Sequence, residues 1–176
     1  GDVIPVGSGF LFPASLFSSS GELRSFVFNS SNDTVLAGVV TGSQPDYLLA
    51  GSSISTLVSS GDPVPGVPGA TFTESNFILH GGLSDVGRTL LLGIITGGGS
   101  TGSSNSGLWI RNNNQFELLA REGSAAPGGL SPQTFNGFDV VASRTSGFGV
   151  SDSGVVVFPG FLGVSVYAVF RGTPGN

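Results

Sequence analysis

Two glycine-rich patterns in this chain have chemical precedent. Gly98-Gly99-Ser100-Thr101-Gly102 has the Gly-x-Ser-x-Gly form of a nucleophile elbow, and Gly97, Gly99 and Gly102 satisfy Gly-x-Gly-x-x-Gly. The first needs a strand-to-helix turn that exposes the serine and a histidine that activates it. The second holds a pyrophosphate only inside a strand–turn–helix unit. Neither setting is predicted here, because the glycines continue into Ser103-Ser104-Asn105-Ser106, a run with the composition of a plain turn. The single histidine, His80, ends an apolar stretch beside Gly81-Gly82 and reads as structural, and one histidine excludes a multi-histidine metal site within a chain. Asp33, Asp85, Asp139 and Asp152 would have to converge for the paired-carboxylate chemistry of glycoside hydrolysis. Asp85 and Asp152 instead sit at matching turn positions, where a short acid caps backbone N–H groups. Calcium at these turns is the one metal worth weighing, yet no Asp-x-Asp-x-Asp loop is present, so no cofactor is expected and the chain reads as non-enzymatic.

Composition narrows the classes further. The 176 residues contain no cysteine, which removes disulfides, thiolate metal sites and thiol redox chemistry. All six basic residues are arginines, scattered along the chain and outnumbered by eleven acids, for a net charge of −5. Nucleic acid is therefore not an expected partner, since phosphate binding relies on clustered positive charge. The absence of lysine removes Schiff-base chemistry and the phosphate lysine of P-loops. No apolar run is long enough for a membrane-spanning helix. Methionine is absent and the sequence starts at Gly1, from which processing and secretion to the extracellular space or cell surface are expected. Thirty glycines and ten prolines would suit disorder, but fourteen phenylalanines and the valine and leucine clusters point to a folded, weakly charged β protein.

The elements that position these residues recur. Gly1-Asp2-Val3-Ile4-Pro5 matches Gly61-Asp62-Pro63-Val64-Pro65 and, with substitutions, Gly123-Ser124-Ala125-Ala126-Pro127. Tyr47, Trp109 and Phe170 hold corresponding places and are expected to be core aromatics more than sugar-stacking platforms. The turn Leu83-Ser84-Asp85-Val86-Gly87 matches Val150-Ser151-Asp152-Ser153-Gly154. In the first copy, either Ser20-Gly21 or Asn32-Asp33 could be the equivalent turn. The spacing predicts one all-β domain of three tandem four-stranded units, 1–60, 61–122 and 123–176. These are propeller-blade-like, with a β-trefoil or β-prism as the alternative.

The motifs Leu118-Leu119-Ala120-Arg121-Glu122-Gly123, Gly61-Asp62-Pro63-Val64-Pro65-Gly66, Leu83-Ser84-Asp85-Val86-Gly87 and Asn105-Ser106-Gly107-Leu108-Trp109 resemble a family of uncharacterised bacterial secreted tandem-repeat proteins, which often carry surface-anchoring tails. The resemblance implies an extracellular, propeller-like repeat protein and brings no catalytic residues with it.

The third unit lacks a counterpart of the strand Gln115 to Arg121 that closes the second. An open edge with few charges invites pairing, so the expected function is structural: self-assembly into a filament or oligomer by strand complementation between subunits. The candidate assembly edge comprises Gly1, Asp2, Val166, Val169, Phe170 and Asn176. A carbohydrate-binding module recognising a polysaccharide is the alternative.

Overall fold

The computed structural model describes residues 23–28, 34–39, 45–50, 54–73, 78–102, 104–113, 115–127, 133–138, 148–162 and 166–173. These residues form an all-β structure, with no helix among them. The first sheet runs in chain order through β1 (Leu23–Phe28), β2 (Thr34–Val39), β3 (Pro45–Ala50) and β4 (Ile54–Ser59), all antiparallel. A second sheet contains β5 (Ala70–Phe72), β6 (Ile78–Leu83), β7 (Thr89–Gly97), β8 (Ser106–Asn112) and β9 (Gln115–Arg121). The third has β10 (Phe135–Gly137), β11 (Gly149–Val150), β12 (Val156–Leu162) and β13 (Val166–Gly172).

The second and third sheets share details of construction. In each, two short strands divide one edge of a long central strand. β6 pairs the early part of β7 and β5 its end, while β11 pairs the start of β12 and β10 its end. Pro159 of β12, which has no N–H to donate to a ladder, falls in the gap between the β11 and β10 pairings. Leu83 pairs Thr89 across one turn and Val150 pairs Val156 across the other. Leu91 faces Trp109 as Phe158 faces Phe170, and Phe72 faces Ile95 as Phe135 faces Leu162.

The segments leading into these sheets also correspond. Gly61 N–H donates to Phe72 O at 2.9 Å and Gly123 N–H to Phe135 O at 2.7 Å. Phe72 N–H in turn donates to Asp62 O, and Phe135 N–H to Ser124 O. Gly61 and Gly123 adopt φ of 87° and 84°, a left-handed conformation that glycine takes without steric cost. A side-chain oxygen closes each turn, Asp62 Oδ2 accepting from Ser59 N–H and Ser124 Oγ from Arg121 N–H.

Two apolar clusters hold the sheets together, and the strand pleat decides which residue joins which. Successive residues of a strand point to opposite faces. Accordingly Leu91, Ile95 and Trp109 lie in a cluster with Val58 of β4, Val64, Val67, Ala70, Phe72 and Leu83. Leu90, Leu92, Leu108, Ile110 and Ala120 lie in the other, with Phe135, Phe138, Phe148, Val156, Phe158, Leu162 and Phe170. The second sheet is thus a layer covered on both faces, the first sheet reaching one through Val58 and the third sheet covering the other.

Ring packing in both clusters depends on missing side chains. Phe72 meets Trp109 edge-on, with centroids 5.1 Å apart and planes at 74°, and the indole N–H donates to Pro65 O at 2.9 Å. Phe135 meets Phe170 in the same manner at 4.9 Å and 63°. A Cβ on Gly93 would come within 3.1 Å of Phe72 and 3.3 Å of Trp109, and one on Gly160 within 2.9 Å of Phe135 and 3.1 Å of Phe170. One on Gly107 would overlap the indole ring itself.

Gly107→Ala and Gly160→Ala are therefore each expected to destabilise the protein by about 1–3 kcal/mol through overpacking. Trp109→Ala should cost about 3–5 kcal/mol through the cavity it leaves. Urea unfolding midpoints measure all three, and an unchanged midpoint for Gly107→Ala would contradict this packing.

Candidate functional site

The glycine-rich segment joins two antiparallel strands, β7 and β8, and no helix follows it. Gly97, Gly98 and Gly99 take φ of 75°, 56° and 72°, and Ser100 N–H donates to Gly97 O at 2.9 Å. Thr101 and Ser104 then bond to each other, through Thr101 N–H to Ser104 Oγ at 2.9 Å and between the two hydroxyls at 3.0 Å. Ser100 is thus part of a β-hairpin connection, without the strand-to-helix geometry of a nucleophile elbow or a phosphate loop.

Of the acids, Asp33 and Asp139 lie outside the described residues. Asp85 and Asp152 occupy the β6–β7 and β11–β12 turns. Both turns close alike: Ser84 N–H donates to Arg88 O and Gly87 N–H to Ser84 O, while Ser151 N–H donates to Val155 O and Gly154 N–H to Ser151 O. Each serine hydroxyl accepts a further backbone N–H, from Arg88 at 3.1 Å and from Val155 at 3.0 Å. The two turns meet where the Asp85 N–H donates to Asp152 Oδ1 at 2.7 Å. This acid ties one sheet to the next, and it is a charge-assisted bond. Among the described residues no three His, Cys, Asp or Glu side chains come together as a metal site.

Arg111 braces the same end of the second sheet. It is buried, donates from Nη1 to Gly87 O at 3.0 Å, and its guanidinium is pushed down from its ordinary range by burial. Arg88 Nε donates to Asn112 Oδ1 at 3.2 Å nearby. These arginines hold turns and strand ends in place.

The three aromatics fare differently. Trp109 is fully buried and offers no exposed face on which a sugar could stack. Phe170 is buried in the cluster between the second and third sheets. Tyr47 pairs Ala37 and Val58 in the first sheet; its side chain lies outside the described residues. For the candidate assembly edge, Gly1, Asp2 and Asn176 lie outside the described residues, and Val166 pairs Leu162 at the start of β13. Val169 is 74% exposed. β13 pairs β12 through seven residue pairs from Val166 to Gly172, and no described strand pairs its other side. In the second sheet, β8 is paired on both sides, by β7 and by β9.

The chain's motifs were not sufficient to single out Val157, Pro159 and Phe161, which alternate along β12 on the face that also carries Val169. Val157 is 36% exposed, while Pro159 and Phe161 are half-buried. The available signal was alternation: Val156, Phe158, Gly160 and Leu162 are buried and the residues between them are not. Beside this face an open cleft of about 470 Å³ is lined by Pro127, Val155, Arg171, Gly172 and Thr173.

The model of a family of unknown function, DUF7453, matches residues 20–162. The chain belongs to this family. Its match takes in β1 through β12, and so the first two sheets, the third without β13, and the paired turns at Asp85 and Asp152. No curated protein and no solved structure matches the chain. Among the described residues no helix is long and apolar enough to cross a membrane.

Removing the carboxylate in Asp152→Ala is expected to destabilise the protein by about 1 kcal/mol, the usual net worth of such a bond at an exposed turn. Ser151→Ala, which removes only the local turn bond, should leave amide exchange at Asp85 slow, whereas Asp152→Ala should accelerate it. Hydrogen exchange resolved at Asp85 measures the difference.

Proposed function

We propose that this chain is an extracellular structural module of three tandem β units that assembles with copies of itself, a strand from one copy pairing with the open edge of β13 in another. The observation that carries this reading is the contrast between β8, paired on both sides, and β13, paired by described residues only through β12. The recurring pairings, turn bonds and aromatic contacts of the second and third sheets support their being copies of one unit. Sheets stacked face to face, with β6 adjoining both β1 and β11, support blade-like packing over a trefoil or prism.

Edge strands that stay single normally carry charges, prolines or bulges that discourage pairing. β13 reads Val166-Tyr167-Ala168-Val169-Phe170-Arg171-Gly172, with one charge and no proline. Backbone N–H and C=O groups along such an edge gain hydrogen bonds from an added strand, the basis of β-augmentation. The natural donor sequence is that of β9, Gln115-Phe116-Glu117-Leu118-Leu119-Ala120-Arg121, which fills this place on β8. The extracellular setting rests on the resemblance of the motifs to secreted repeat proteins.

Size-exclusion chromatography with light scattering, supported by electron microscopy, is expected to show oligomers or filaments that grow with concentration. A version extended at its C-terminal end by the β9 sequence should satisfy the edge and remain monomeric. A wild-type chain that stays monomeric from low micromolar to near-millimolar concentration would refute self-assembly.

A further inference from the structure

The outward face of the third sheet is the positional counterpart of a face that is covered elsewhere in the molecule. Leu90 pairs Ile110 in the second sheet as Val157 pairs Arg171 in the third, and Leu92 pairs Leu108 as Pro159 pairs Val169. Leu90, Leu92, Leu108 and Ile110 have no exposure at all, because the third sheet lies on them through Phe135, Phe158 and their neighbours. Val157 and Val169 are 36% and 74% exposed in the same places. Val157 and Val169 are aliphatic like Leu90 and Leu108, while Arg171 replaces Ile110 and Pro159 replaces Leu92.

We propose that this face, formed by Val157, Pro159, Phe161 and Val169, is a docking surface for the first sheet, β1–β4, of a second copy of the chain, stacked as the third sheet stacks on the second. The inference rests on the self-assembly reading and specifies its contact as face to face, in addition to any edge pairing. Continuity selects the occupant. At each internal junction, one face of a sheet receives the next sheet in chain order, the first meeting the second through Val58 and the second meeting the third. A second copy's first sheet continues that series. Its Ser25–Ala37–Tyr47–Val58 row includes the residue that reaches the second sheet. The neighbouring row Phe26–Leu36–Leu48 holds the alternate register positions of the same strands.

Arg171 sharpens the expected contact. It stands where the second sheet has buried Ile110, is exposed, and lies on the rim of the 470 Å³ cleft with Pro127, Val155 and Thr173. A long arginine can lay its stem on the apolar rows and keep its head at the margin of a junction, so it is compatible with stacking at the rim. The centre at Val169 carries the apolar contact.

The chain has no cysteine, so Val169→Cys takes a single solvent-sensitive fluorophore. The expected result is a blue-shifted emission as concentration rises, in step with the mass measured by light scattering. Val169→Asp, at a position exposed in the single chain, should unfold at the wild-type urea midpoint and weaken association by at least about tenfold. Association with an unchanged label, unaffected by Val169→Asp but abolished by the β9-extended version, overturns the face contact and leaves the edge reading standing. A label already protected in the monomer at the lowest concentration means the face is covered within one chain and overturns the second copy as occupant. A monomer with an exposed label at every concentration overturns both.

Discussion

Leu90, Leu91 and Leu92 are three consecutive residues with no exposure, a condition that a pleated strand meets only if both faces of its sheet are covered. The described sheets are arranged around that requirement. One sheet could not satisfy it, and two would leave one of the two leucine faces in water. The second sheet is therefore the middle layer of three, with Leu91 in one apolar cluster and Leu90 and Leu92 in the other. A strand this apolar belongs to stacked layers, as in propellers and covered sheets, more than to a two-layer sandwich with a wet face.

Within each junction the layers are kept close by glycine opposite an aromatic ring. Gly93 leaves the space into which Phe72 and Trp109 fit, and Gly160 does the same for Phe135 and Phe170. The apolar stabilisation comes from the rings, which bury large areas, while the glycines remove the steric barrier to their approach. This explains how a chain with thirty glycines can be folded and tightly packed. Several of them, including Gly61, Gly87, Gly123 and Gly154, instead serve left-handed turns.

Among the described residues, several side-chain polar contacts fall at turns and junctions. The Asp85 N–H to Asp152 carboxylate bond links successive turns, Arg111 holds the backbone at Gly87, and Glu122 Oε2 accepts from the Ser106 N–H and hydroxyl at 3.2 and 2.9 Å. With so little charge on the surface, the stacking surfaces and strand edges have weak electrostatic protection against further association.

Much of the local structure was legible in the residues. Gly-x turns and the Ser-Asp pairs at Ser84-Asp85 and Ser151-Asp152 were readable, because turn chemistry acts over a few residues. So was the family-like recurrence of Gly61 with Gly123 and of Trp109 with Phe170. The placement of the first-unit turn was not, and both candidates, Ser20-Gly21 and Asn32-Asp33, lie outside the described residues. Nor could the residues distinguish Val169 from Leu108, or Val157 from Leu90. Each pair is aliphatic and holds the same place on its strand, yet one member is buried and the other exposed. Burial of a sheet face depends on whether another sheet lies on it, a contact between residues far apart in the chain. Only the tertiary structure decided that Leu90 and Leu108 are covered while Val157 and Val169 are exposed.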